Sequence, residues 1–204
     1  MGKKMLNSAL TIGTWGNISL LLDNKEFFGI TPSGMDYNQL TPEDIVIMDL
    51  AGNIVDGKKK PSIESPLHYT IYRERKDIKA VVHTHSIYAS AMAAARKPIP
   101  AAVEDLAQIV GGSVRVAEYY LPGTEELGKA VVDALQDRYG ALLANHGVVG
   151  IGRSLQEAMT VCEIIEKGAR ITIAAQGVGG VVELEQEDID FMRNFFLNSY
   201  GQDN

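Results

Sequence analysis

The sequence predicts a single layered α and β domain in which helices cover a mainly antiparallel sheet. Two observations predict this class: many short apolar runs are separated by close turns, and segments with helical periodicity lie between and after those runs. The 204 residues are enough for one substantial core and too few for two ordinary domains. Residues 1–204 are therefore expected to form one domain.

The first half of the chain is predicted to contain two hairpins, a helix, a strand and a second helix. Short strands bounded by turn residues are expected at 18–22, 27–30, 45–49 and 53–55. A helix should run from about Pro66 to Lys76, because proline suits the first turn. The strand 79–83 follows, and Ser86 is expected to cap a helix that ends near Ala95.

In the second half, a strand is expected at 114–117, and Thr124 with two acidic residues should open a helix. Two apolar runs, 141–144 and 148–151, flank Asn145-His146-Gly147. Ser154-Leu-Gln-Glu157 has the pattern of a capping box and opens a long helix that ends near Ala175. A last helix is predicted from Gln186 to Asn198.

The composition of the chain excludes some classes of function. The net charge of -7 argues against general binding to nucleic acid or to anionic membranes. No run of about eighteen apolar residues could span a bilayer. The one cysteine, Cys162, cannot form an internal disulfide, which favours a reducing compartment. We therefore expect a soluble cytoplasmic protein without nucleic-acid or membrane partners.

Three of the four histidines lie where strands could direct them at one point. His83 and His85 stand two apart in Val-Val-His-Thr-His-Ser, so a strand would present both imidazoles on one face. His146 would add a third from between two apolar runs. Three neutral nitrogens suit zinc and leave a coordination position open for substrate. The pattern predicts a metal enzyme, with His68 as a packing or supporting residue on a helix.

Three turns built from small residues could bind a phosphate: 13–17, 31–34 and 61–62. Glycine lets backbone N–H groups approach an anion, and Ser, Thr and Asn add side-chain donors. Each turn alone is a weak signal, because such turns are usually only turns.

Glu64 lies two residues after Ser62. A carboxylate beside a metal can act as a fourth ligand and as a proton-transfer group. The residues alone favour the alternative, a solvated acid that is stabilised by the dipole of the following helix.

From Gly13 to Gly147 five motifs occur in order: Gly-Thr-x-Gly-Asn-x-Ser, Ile-Thr-Pro-Ser-Gly, Lys-x-Pro-Ser-x-Glu, Val-Val-His-Thr-His-Ser and Asn-His-Gly. Together they resemble the class II aldolase and adducin-head family, most closely its L-fuculose-1-phosphate aldolases. The resemblance implies a three-layer α/β/α sandwich around a largely antiparallel sheet. It also implies a homotetramer with active sites at subunit interfaces.

The resemblance assigns roles to these motifs. The three histidines His83, His85 and His146 match zinc ligands, and Glu64 matches an acid/base carboxylate that also touches the resting metal. Zn²⁺ is the expected ion, with Mn²⁺ or Co²⁺ as alternatives. The residues that match substrate-phosphate contacts are Gly16, Asn17, Ser33, Gly34 and Ser62.

The chain also departs from the fuculose enzymes. Ile63 stands where they have a second phosphate-binding serine, so only its backbone N–H remains. Glu104 stands where they have a tyrosine that donates a proton across the interface. Tyr200 resembles the mobile C-terminal tyrosine of the family. Glu104 and Tyr200 are therefore expected as catalytic candidates whose roles stay open.

The implied function is a metal-dependent aldehyde-lyase. It would reversibly cleave a (deoxy)ketose 1-phosphate such as L-fuculose 1-phosphate to dihydroxyacetone phosphate and a small aldehyde. The alternatives within the family are a sugar-phosphate 4-epimerase, dehydratase or decarboxylase. An adducin-like binding module is a further alternative, which the intact histidine triad disfavours. The expected partners are a small phosphorylated sugar and other copies of the chain.

Overall fold

The computed structural model describes residues 1–200. Its centre is one eight-stranded sheet with the strand order β4-β3-β2-β1-β5-β8-β7-β6. The strands are β1 (Asn17–Leu21), β2 (Phe27–Ile30), β3 (Val46–Asp49), β4 (Ile54–Asp56), β5 (Ala80–Thr84), β6 (Val116–Ala117), β7 (Gly140–Leu143) and β8 (Gly147–Gly152). All neighbours pair antiparallel except β6 and β7. The predicted antiparallel character is confirmed.

In the part of the chain that the structure describes, six α-helices accompany the sheet: α1 (Gly2–Asn7), α2 (Ser65–Glu74), α3 (Ile87–Ala94), α4 (Glu125–Leu135), α5 (Leu155–Ala175) and α6 (Gln186–Ser199). The sequence predicted the last five within a few residues. It did not predict α1 or a π-helical turn at Leu106–Val110. Within residues 1–200, no helix is both long and apolar enough to cross a membrane.

Helices cover both faces of the sheet. On β5, Val81 packs into the same apolar cluster as Leu67 of α2, while its neighbour Val82 packs with Ala158 and Cys162 of α5. Successive side chains of a strand point to opposite faces, so α2 and α5 lie on opposite sides. Helix α4 packs against α2, and α3 packs against α5. The three-layer prediction is therefore confirmed.

The helix caps show where local prediction succeeds and where it fails. Thr124 and Ser154 accept hydrogen bonds from backbone N–H groups of α4 and α5, as predicted. Ser86 is the N-cap residue of α3, as predicted, but its hydroxyl makes no hydrogen bond to the helix and has no partner in the described chain. Glu166 of α5 instead accepts two N–H groups of the first turn of α3, at 3.0 and 2.8 Å.

Candidate metal centre and active site

His83 and His85 meet at the end of the central strand β5. His83 lies within β5, whereas His85 lies one residue past its end, where its backbone N–H donates to the carbonyl of Leu10 at 3.1 Å. The two Nε2 atoms are nevertheless only 2.9 Å apart. The pair therefore converges as predicted, although only one of its members belongs to the strand.

His146 reaches the same point from the tight turn between β7 and β8. Strand β8 pairs with β5 in a register that aligns Val148 with Thr84, and this pairing brings the turn beside the end of β5. The ring centroids of His146 and His83 are 4.7 Å apart. The β7–β8 hairpin thus delivers the third imidazole.

Glu64 approaches the three histidines from the start of α2. Its Oε2 lies 3.3 Å from Nε2 of His83, and its Oε1 lies 3.4 Å from Nε2 of His146. One ligand atom from each of Glu64, His83, His85 and His146 falls within 4.8 Å of the others. The structure therefore brings together all four residues predicted around a metal.

The three histidines of this cluster are in a protonation state that favours binding of a cation. Nδ1 of His83 donates to the carbonyl of Val148 at 3.0 Å, which leaves Nε2 of His83 with a free lone pair. Burial lowers the pKa of His83, His85 and His146 to about 4 each, so all three are neutral at neutral pH.

Two buried atoms of the cluster, Oε1 of Glu64 and Nδ1 of His146, lack the partner that a buried polar atom needs. Neither atom has a hydrogen-bond partner among residues 1–200. Three nitrogen donors and one carboxylate that converge in this way match the ligand set of a divalent transition metal. The residues present therefore fit the predicted metal.

Two of the predicted phosphate turns lie side by side. The backbone N–H of Ser33 donates to the carbonyl of Lys60 at 3.0 Å, and that of Ser62 donates to the carbonyl of Thr31 at 3.1 Å. These bonds join segments about thirty residues apart in the sequence. The exposed Ser33 and the buried Ser62 consequently lie close together next to the start of α2.

The two turns differ in how they are held. The hydroxyl of Ser62 is buried and accepts the backbone N–H of Glu64 at 3.2 Å. Gly34 is exposed with φ of 68°, and no heavy atom of residues 1–200 outside its chain neighbours lies within 4 Å of the position that a Cβ would occupy. The backbone at Gly34 is thus open to an approaching anion.

The first turn packs directly against the histidine strand. Asn17 pairs in register with His83 across β1 and β5. Its side chain is buried, and Nδ2 donates to Oε2 of Glu64 at 2.8 Å. Gly16 adopts φ of 75°, and a Cβ there would lie 2.5 Å from the carbonyl oxygen of His83. Asn17 therefore links this turn to Glu64, a contact that the sequence did not predict.

The structure does not bring Glu104 and Tyr200 to the cluster. Glu104 is exposed and lines a surface depression with Lys167 and Leu184. Tyr200 follows α6, is 67% exposed, and packs its ring 5.3 Å from that of Phe196. Neither residue belongs to the group of potential metal ligands.

A buried polar network, which the sequence did not predict, lies behind the cluster. His68 is fully buried, and its ring hydrogen-bonds to Asn17 and Ser19. The hydroxyl of Tyr72 extends the network, because it forms a hydrogen bond with the hydroxyl of Ser19. Residue spacing in the sequence could have indicated this network. Asn17 and Ser19 are two residues apart on a strand and therefore share a face. Glu64, His68 and Tyr72 follow one another at intervals of four residues along a helix, so they also share a face.

Comparison with known proteins agrees with this geometry. The family model described as Class II Aldolase and Adducin N-terminal domain matches residues 1–173. A 5-deoxy-D-ribulose 1-phosphate aldolase of Bacillus thuringiensis serovar kurstaki is 40% identical over 201 residues, which cover 98% of this chain and 93% of that protein. A probable L-ribulose-5-phosphate 4-epimerase of Mycoplasma pneumoniae is 47% identical over 92 residues, which cover 45% of this chain and 38% of that protein.

A solved structure of an L-fuculose 1-phosphate aldolase has a TM-score of 0.92 to this chain at 39% identity, covering 96% of this chain and 92% of the other. Sequence and structure agree across nearly the full length, so the predictions of the fold and of a lyase of this class are confirmed. The chain belongs to the class II aldolase and adducin N-terminal domain family.

Proposed function

We propose that this chain is a zinc-dependent aldolase that reversibly cleaves a short deoxyketose 1-phosphate to dihydroxyacetone phosphate and a small aldehyde. The observation that carries the proposal is the position of Glu64, whose carboxylate stands among three imidazoles with one oxygen free of hydrogen bonds. A carboxylate placed in this way can hold a cation at rest and move a proton when substrate is bound.

The first candidate substrate is 5-deoxyribulose 1-phosphate, since the relative from Bacillus thuringiensis is named for it. Its five carbons would divide into dihydroxyacetone phosphate and a two-carbon aldehyde. L-Fuculose 1-phosphate is the second candidate, because a structurally similar aldolase is named for it. The two differ only in the aldehyde half, so the same phosphate and metal contacts would serve both.

The metal would be held by His83, His85 and His146, with Glu64 as the fourth ligand at rest. Nitrogen donors favour Zn²⁺ over Mg²⁺ or Ca²⁺, which prefer oxygen, and Mn²⁺ or Co²⁺ are the alternatives. When bound, the cation would polarise the substrate carbonyl and favour the negative charge that develops as the carbon–carbon bond breaks.

The phosphate would bind where the turns of Ser33 and Ser62 meet. The open backbone at Gly34 offers an approach for the anion, and three exposed lysines, 58–60, supply positive charge on the segment that leads to Ser62. The turn at Gly16 and Asn17 would contribute from the opposite side of Glu64. Phosphate contacts here would hold the reacting carbon near the carboxylate.

Glu64 would move the proton of the three-carbon half. In the synthesis direction it would take a proton from the hydroxymethyl carbon of dihydroxyacetone phosphate, and that carbon would then bond to the aldehyde carbon. In cleavage Glu64 would return the proton to the same carbon. The oxygen free of hydrogen bonds, Oε1, is available for this exchange.

The aldehyde oxygen needs a second proton donor, which we assign to Glu104 or Tyr200 of a neighbouring subunit in a homotetramer. Large apolar side chains are exposed beside the cluster: Trp15 is 66% exposed, Ile63 70% and Ile87 65%. The ring centroid of Trp15 lies 5.6 Å from that of His85. Exposed apolar surface at a site supports its being covered by another subunit.

The proposal includes one domain and a cytoplasmic location. A single sheet collects strands from residue 17 to residue 152, which supports one structural unit. Cys162 is free and fully buried, and burial raises the pKa of its thiol to about 12. An unpaired cysteine of this kind suits a reducing compartment.

The second candidate function is sugar-phosphate 4-epimerisation, which the partial match to an epimerase favours. The test is to incubate the zinc-loaded protein with dihydroxyacetone phosphate and a panel of small aldehydes. We expect a new carbon–carbon bond with a two-carbon or three-carbon aldehyde. Epimerisation, dehydration or carbon dioxide release, with no dihydroxyacetone phosphate formed from any ketose 1-phosphate, would overturn the aldolase proposal.

A further inference from the structure

A chain of five buried side chains ends on Glu64. The hydroxyl of Tyr72 lies 2.7 Å from that of Ser19, whose oxygen lies 2.6 Å from Nδ1 of His68. Nε2 of His68 lies 2.5 Å from Oδ1 of Asn17. Nδ2 of Asn17 donates to Oε2 of Glu64 at 2.8 Å. The chain of side chains therefore alternates between α2 and β1 at each step and ends on the carboxylate at the start of α2.

The direction of every bond follows from the carboxylate. A carboxylate only accepts hydrogen bonds, so Asn17 must present its NH₂ group to Glu64 and its carbonyl oxygen to His68. His68 must then donate from Nε2. Burial lowers the pKa of His68 to about 3, so the ring is neutral and carries only this one N–H.

The other end of the network is compatible with the same tautomer. With its proton on Nε2, His68 has a lone pair on Nδ1, which accepts the hydroxyl hydrogen of Ser19. The oxygen of Ser19 in turn accepts from Tyr72, at a separation shorter than the 3.4 Å between the Tyr72 hydroxyl and the carbonyl of Lys79. All four hydrogen bonds thus point toward Glu64.

We propose that His68 is a positioning residue for Glu64. Its Nε2–H holds the amide of Asn17 in the one orientation that donates to Oε2, so that Oε1 remains the oxygen free to exchange a proton. If the amide of Asn17 turned over, its oxygen would face the carboxylate and push it from its place among the histidines. The inference rests on the proposed role of Glu64 in proton transfer and adds the residue that orients it.

The tautomer of His68 can be measured without activity. Nitrogen-15 NMR of the full-length, zinc-loaded protein should show a proton on Nε2 and a bare Nδ1 for His68 at neutral pH, with the signal identified by its loss in His68→Gln. A ring protonated on Nδ1, or on both nitrogens, would overturn the proposal. This result stands whether or not the protein proves to be an aldolase.

The effect on proton transfer is measured as exchange of solvent deuterium into dihydroxyacetone phosphate. His68→Leu removes both hydrogen bonds of the ring and should lower the maximal exchange rate by about tenfold or more, with KM and zinc content unchanged. His68→Gln keeps one donor and one acceptor on a planar amide and should recover most of the rate. Thr172→Val is the control, because it removes a buried hydroxyl that, among residues 1–200, bonds to the carbonyl of Gly168 and to no group of the network.

An exchange rate in His68→Leu equal to wild type would contradict the proposal, as would a loss that follows zinc content or a Gln variant no better than Leu. If His68→Leu fails to fold, Ser19→Ala decides: a severalfold fall in maximal rate supports the network, and an unchanged rate overturns it. If the wild type exchanges no deuterium, the proposed function has failed, and the NMR tautomer still decides the orientation of the network.

Discussion

The backbone N–H of Glu64 donates to the hydroxyl of Ser62 at 3.2 Å. This bond ties the residue proposed to move a proton to a turn proposed to bind phosphate. Helix α2 begins at the next residue, Ser65, so both groups are held at the start of one rigid element. A phosphate bound at Ser62 would therefore set the distance between the reacting carbon and the carboxylate.

The first prediction concerns this link. Ser62→Ala should raise KM for a phosphorylated substrate about tenfold, because a hydrogen bond to a charged group is lost. It should also lower kcat, since the N–H of Glu64 loses its acceptor. Ser33→Ala should raise KM alone, because no hydrogen bond joins the Ser33 side chain to Glu64. Steady-state kinetics on phosphorylated and unphosphorylated substrates are the test, and an equal rise in KM for both would contradict it.

Much of the fold was predictable because its signals are local. The caps at Thr124 and Ser154 depend on hydrogen bonds three residues along the chain, and both are confirmed. Ser86 has the same local signal, but Glu166, some eighty residues away, accepts the N–H groups that the cap would have satisfied. No local sequence pattern near Ser86 indicates that Glu166, so distant in sequence, accepts these hydrogen bonds.

The candidate site likewise has features that local sequence signals predict and features that depend on long-range packing. His83 and His85 are paired by their spacing, whereas their meeting with His146 depends on the register between β5 and β8. The contact between Asn17 and Glu64 joins residues 47 apart and follows from the packing of α2 on β1. The spacing of residues in the sequence indicates which side chains share one face of a strand or helix. Which of these faces contact each other depends on how the helices pack on the sheet.

The second prediction concerns metal binding. Reloaded wild-type protein should hold about one zinc ion per chain, since catalytic sites of this ligand set bind a single ion. His146→Ala should lose most of it, because one of three nitrogen donors is removed. His68→Gln is the control and should keep its zinc, as His68 lies outside the cluster. Elemental analysis after gel filtration measures both, and full retention by His146→Ala would remove it from the ligand set.

The third prediction uses two glycines as a matched pair. Gly16 and Gly13 both have positive φ, at 75° and 63°, but only at Gly16 would a Cβ meet another atom, the carbonyl oxygen of His83 at 2.5 Å. Gly13→Ala should lower the free energy of unfolding by roughly 1 kcal/mol through backbone strain alone. Gly16→Ala should lower it further, by about 2 to 3 kcal/mol in total, and weaken zinc binding by moving His83. Chemical denaturation compares them, and an equal or larger loss in Gly13→Ala would refute the steric account.

The fourth prediction concerns the aldehyde half of the reaction. If Glu104 of a neighbouring subunit protonates the aldehyde oxygen, Glu104→Gln should change the ratio of diastereomeric products and leave zinc content unaltered. Glu26→Gln, an exposed acid in the turn between β1 and β2, is the control. Chiral chromatography of the aldol products measures the ratio. A ratio of diastereomers identical to that of the wild type would contradict this role of Glu104 and would leave Tyr200 or water as the proton donor.

The central claim is that Glu64 moves the proton of dihydroxyacetone phosphate within a metal-dependent site. Its most direct test is the exchange of solvent deuterium into that compound by zinc-loaded wild-type and Glu64→Gln proteins, since the amide is nearly the same shape and cannot act as a base. We predict rapid exchange by the wild type and a loss on the order of a hundredfold or more in the variant, with the fold retained. Exchange by Glu64→Gln at a rate close to that of the wild type would contradict the account.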